Sequence, residues 1–95
     1  MTDAPLGPVE VRALGALIEK SLATPEYYPL TLNGLTLACN QKSNREPVME
    51  LDEVEVSRAL TELIRRQMAY ETAGSRSQKY GQHFTRLHKM IGAES

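Results

Sequence analysis

Seven side chains in this sequence have the chemistry to hold phosphate: Lys42, Ser43, Asn44 and Arg45 in one run, then Arg58, then Arg76 with Lys79. An ammonium, a hydroxyl, a carboxamide and a guanidinium in succession offer donors of four kinds. Charge-assisted bonds from Lys and Arg to phosphate are the strongest of these. A structural role for the run is equally concrete. Asn40 can end a helix, Ser43 and Asn44 can bond to nearby backbone, and Arg45 can pair with Glu50 or Asp52. Arg76 lies in Gly74-Ser75-Arg76-Ser77, a turn-like stretch. A basic residue there can enter a minor groove or sit on a phosphate backbone, or simply keep an edge hairpin soluble.

Catalysis finds no comparable set. Cys39 falls on an apolar stripe with Leu35, where a small core residue is expected, and neither His83 nor His88 completes a triad or metal-ligand spacing with it. Tyr27 and Tyr28 could stack on bases, but beside a helix end they read as packing residues. The expectation is a non-enzyme with no metal, no cofactor and no small-molecule substrate.

The 95 residues suit one small domain, and 41% hydrophobic with 24% charged is a globular composition. The longest apolar run, Ala13 to Ile18, is far too short to cross a membrane, and one cysteine makes no internal disulfide. The N-terminus lacks the basic and apolar parts of a secretion signal, so the cytoplasm is the expected compartment. Net charge is −1, divided as −2 over residues 1–40, −2 over 41–71 and +3 over 72–95. Attraction to a polyanion must therefore be local.

The elements that would position these groups follow from periodicity and punctuation. Pro8 opens a helix running to about Leu22, with Val11, Leu14, Ile18 and Leu22 expected inward and Leu17 beside them; Thr24-Pro25 stops it. Tyr27 to Leu30 reads as a short extended piece, limited to an edge by Pro29. Thr31 caps a second helix to about Gln41, with Leu32, Leu35 and Cys39 inward and Gly34 weakening it. Asp52-Glu53-Val54-Glu55 is a capping box, and Leu51 with Val56 has staple spacing. The third helix buries Val56, Ala59, Leu60, Leu63 and Ile64, while Glu62 reaches Arg65 or Arg66 one turn on. Met68–Thr72 and Lys79–Phe84 are candidate strands joined by a Gly/Ser loop.

Helix, short strand, two helices and a hairpin make a fold that is mainly α with a small antiparallel β-wing. This is a winged helix-turn-helix: a three-helix core plus a β-hairpin. "PVEVRALGALIEK", "TPEYYPLTLNGLTLACNQKSNREPVM", "SRALTELIRRQMAYETAGSR" and "KYGQHF" together resemble the YceH-like family of uncharacterised bacterial proteins, over about residues 6 to 86. That resemblance implies two tandem winged-helix domains, of which this chain resembles the first. The expected organisation is a flexible tail over 1–7, the winged helix over 8–86, and a tail or linker to an absent second domain over 87–95.

Asp52, Glu53 and Glu55 suit the dipole at the start of the third helix but repel phosphate, and the connection before it is about ten residues instead of three or four. Tip-first insertion of that helix into DNA is therefore disfavoured. Two expectations stand. One is a nucleic-acid-binding module in a bacterial regulator, contacting double-stranded DNA mainly at phosphates. The other is a protein-interaction or dimerisation module that docks itself or another protein and does not bind DNA.

Overall fold

The computed structural model describes residues 5–40, 50–72 and 78–84. Helix α1 spans Pro8–Ala23, with Pro8 at its first position. The Gly7 N–H donates to Glu10 Oε1 (2.7 Å), satisfying a group just outside the helix. Thr24 ends α1 as its N–H reaches Lys20 O (3.0 Å), and a 3₁₀ turn follows over Pro25–Tyr27. Helix α2 spans Leu32–Cys39, its Thr31 cap accepting from Gly34 N (3.1 Å). It stops at Asn40, just short of the expected Gln41.

Helix α3 spans Glu53–Arg65, and both halves of the expected capping box form. Glu55 N donates to Asp52 Oδ1 (2.8 Å), and Asp52 N to Glu55 Oε1 (3.1 Å). At its far end Met68 N reaches Leu63 O and Gln67 N reaches Ile64 O, both at 2.9 Å. Those two bonds are a Schellman closure, which puts Gln67 in the left-handed region at φ 62°.

Strands β1 (Ala69–Thr72) and β2 (Lys79–Gln82) pair antiparallel, with Tyr70 opposite Gly81 and Thr72 opposite Lys79. The extended piece expected before α2 is reduced to one residue. Leu30 exchanges both backbone bonds with Tyr80, at 2.9 and 2.7 Å, on the edge of β2 away from β1. Pro29 has no N–H to extend that pairing, and Pro25–Tyr27 is already coiled.

The core gathers Leu17, Leu35, Cys39, Val56, Leu60 and Leu63, all essentially inaccessible, with Ala13, Ala16, Ala38, Ala59 and Ala69 between them. Cys39 is thus a core residue. The expected inward stripe of α1 is corrected. Ala13, Ala16 and Leu17 face the core, Leu14 packs at its margin, and Val11 and Leu22 are 55% and 60% exposed. Three helices converge here at a distance that alanine fits and larger side chains do not.

The sheet is stitched to the helices by polar groups. Gln82, 3% exposed, donates its N–H to Tyr28 Oη (2.6 Å) and Nε2 to Ser21 Oγ (3.3 Å), while its Oε1 accepts from Phe84 N (2.7 Å). No buried side-chain polar atom among the described residues lacks a partner. Burial raises the Tyr28 phenol above its ordinary pKa.

Two substitutions test these close contacts by urea denaturation. A Cβ at Gly81 would fall inside the Tyr70 phenol and 2.8 Å from Tyr28 Oη, so Gly81→Ala should destabilise by about 1–3 kcal/mol. Gln67→Gly relieves the left-handed residue of the Schellman closure and should stabilise by up to about 1 kcal/mol.

Candidate nucleic-acid interface

Once Val56, Ala59, Leu60 and Leu63 are turned inward, helical geometry dictates the opposite face of α3. Val54, Ser57, Arg58, Thr61 and Arg65 all stand exposed at three- and four-residue spacing. Val54 and Ser57 were not singled out by sequence reasoning, although their spacing from Arg58 and Thr61 carried the signal. Beside them lies an open groove of about 320 Å³, lined by Leu32 of α2 and by Glu53, Val54, Ser57 and Arg58. Asn33 Nδ2 donates to Glu53 Oε2 (3.2 Å), holding the first turns of α2 and α3 together along this groove.

Of the seven candidate phosphate-binding residues, two lie within the described residues. Arg58 is exposed at the middle of the α3 face and borders the groove. Lys79 is exposed at the first position of β2, opposite Thr72 at the loop end of the strand pair. The two stand on separate elements, α3 and β2, and Lys79 does not line the groove. Neither forms an ion pair among the described residues. Lys42, Ser43, Asn44, Arg45 and Arg76 lie outside the described residues, as does His88. His83 is exposed and its ring rests 5.2 Å from that of Tyr70.

The carboxylates of α3 are engaged. Asp52 and Glu55 cap the helix backbone, and Glu53 accepts from Asn33. Glu62 accepts from Arg65 Nε (3.0 Å) and Arg65 Nη2 (2.6 Å), and from Arg66 Nε (2.6 Å). Those bonds, first from Arg65 and then from Arg66, hold the Glu62 carboxyl down to about 2. Among the described residues no cluster of His, Cys, Asp and Glu is placed to hold a metal ion.

A core of three helices followed by an antiparallel strand pair, with the outward face of α3 beside it, defines a winged-helix domain. Residues 6–95 match the family model described as "Protein of unknown function, DUF480", and the chain belongs to that family. It is 67% identical over 70 residues to a UPF0502 protein of Geobacter sulfurreducens, covering 74% of this chain and 32% of that protein. A UPF0502 protein of Geotalea daltonii is 62% identical over 79 residues, covering 82% and 36% respectively. One from Aeromonas salmonicida is 58% identical over 69 residues, covering 73% and 32%. The chain thus spans about a third of the length of the curated relatives it matches. No helix among the described residues is long and apolar enough to cross a membrane.

The Glu62 cluster should give a pH signature. A carboxylate whose folded pKa lies below its unfolded value adds stability above the unfolded pKa, and that stability is lost as pH falls through the folded one. For Glu62 the window runs from 4.5 down to about 2. Glu62→Gln should flatten the acid limb of a thermal-melt series in that window and leave the neutral-pH plateau lower.

Proposed function

We propose that this winged helix is a nucleic-acid-binding module of a bacterial regulatory protein, working in the cytoplasm without enzymatic chemistry and taking double-stranded DNA chiefly by its phosphates. The observation that carries this reading is the state of Arg58. It is exposed at the centre of the α3 outer face, flanked by Ser57 and Thr61, and bound to no carboxylate, although α3 holds several. A guanidinium in that setting suits a phosphate oxygen. Lys79 supplies a second cation on the strand pair. Lys42, Ser43, Asn44, Arg45 and Arg76 belong to the same proposal by their chemistry. The acidic start of α3 favours lateral contact by its middle turns over entry of its tip.

Docking of a protein on the same face is the second reading. It is favoured by the groove beside Leu32 and by Val54, which is 58% exposed. Retention on a heparin column separates the two, since an apolar partner site gives none.

Counterion release makes the test quantitative, because each phosphate contact adds about 0.9 to the slope of log affinity against log salt. Arg58→Ala and Lys79→Ala should each lower that slope by about one, equally on unrelated duplexes. Absence of any duplex binding at about 50 mM salt, by this chain and by a full-length relative, sinks the reading.

A further inference from the structure

The side of α1 turned away from the core carries Val11, Gly15, Ile18 and Leu22, spaced four, three and four residues apart. That spacing is the seam of a helix pair, repeating every 3.5 residues on average. Val11 and Leu22 are 55% and 60% exposed, Gly15 is exposed and Ile18 is half-buried. The core-facing residues Ala13, Ala16 and Leu17 occupy the opposite side of the helix, so nothing in the three-helix core uses this stripe.

Gly15 is the second observation. It stands inside a 16-residue helix, where Gly is about 0.5–1 kcal/mol less favourable than Ala. A Cβ built on it meets nothing within 4 Å. Its missing side chain therefore serves no contact among the described residues. Close approach of another backbone is a physical reason for Gly at the centre of an apolar stripe.

Charge decides what approaches. Arg12 and Glu19 flank the stripe along the same edge, two helical turns apart. Arg12 is steadied by its Nη1 bond to Cys39 O (3.0 Å). In an antiparallel pair related by a two-fold axis, residues on this edge face the same edge of the other copy. Val11 then meets Leu22 of the second copy, Gly15 meets Ile18, and each Arg12 lies beside a Glu19.

We propose that this stripe is a self-association surface, on which α1 of a second copy packs antiparallel about a two-fold axis centred between Gly15 and Ile18. The proposal is independent of nucleic-acid binding; it would place two winged helices back to back, with both α3 outer faces left available.

Sedimentation equilibrium of the 95-residue chain, up to about 0.5 mM, tests it directly. Wild type should show a monomer–dimer equilibrium. Gly15→Glu should raise the dimer Kd at least about tenfold, and Gly15→Ala should weaken association while raising the melting temperature of the dilute monomer. Orientation is read by mixing Val11→Cys with Leu22→Cys under mild oxidation: the mixed 11–22 disulfide should exceed either homodimer. A chain monomeric throughout, a dimer indifferent to Gly15→Glu, or predominance of 11–11 and 22–22 products would each overturn the proposal. Melting curves of the dilute variants show whether any lost association reflects lost folding.

Discussion

Close approach of three short helices is the constraint on which everything else in this domain rests. A domain of this size has little interior, and it is filled by a few large side chains set among alanines. Ala13, Ala16, Ala38 and Ala59 are nearly or wholly inaccessible and sit where the helices come together. A larger residue at any of them would push the axes apart and open voids beside Leu17, Leu60 and Leu63. The same constraint turns the bulkier residues of α1 outward, so that Val11 and Leu22 stand in solvent while Ala16 does not.

That packing fixes α3, and α3 fixes the candidate site. Its start is held twice: by the reciprocal Asp52–Glu55 cap and by the side chain of Asn40, which treats Leu51 as a strand partner would. Asn40 Nδ2 donates to Leu51 O and Leu51 N donates to Asn40 Oδ1, both at 2.8 Å. The end of α2 is thereby bonded to the residue just before α3, whatever path the chain takes between them. Leu51 itself packs at the margin of the core, as its staple spacing with Val56 anticipates. The polar run after Cys39 thus begins with a structural residue, and the capping half of the stretch ends with others.

What was legible in the sequence divides by range. Caps are bonds between residues three apart, so Thr31 with Gly34 and Asp52 with Glu55 could be read from spacing alone. The buried stripe of α3 was legible because its other faces are strongly polar. Helix α1 has apolar residues around most of its circumference, so ranking them by size selected Val11 and Leu22, whereas packing selected Ala13 and Ala16. The clamp from Asn40 to Leu51 and the Gln82 contacts with Tyr28 and Ser21 join residues distant in sequence, and no local pattern announces them. At the site, the exposure of Arg58 and the pairing of Glu62 were readable by helical spacing. The groove beside Leu32 was not, since it exists only where α2 meets α3.

The internal engagement of carboxylates also changes what a net charge of −1 means for this surface. A carboxylate that accepts backbone N–H bonds at a helix start has part of its charge balanced by the helix dipole. Asp52 and Glu55 are in that position, and Glu62 is balanced by two guanidinium groups. The field along α3 therefore changes from negative at its first turn to positive around Arg58 and beyond, over a distance comparable to the screening length at physiological salt. A polyanion is steered toward one part of such a helix and away from the other, which orients it as well as attracts it. Local order of charge, more than its total, is what this small domain offers a partner.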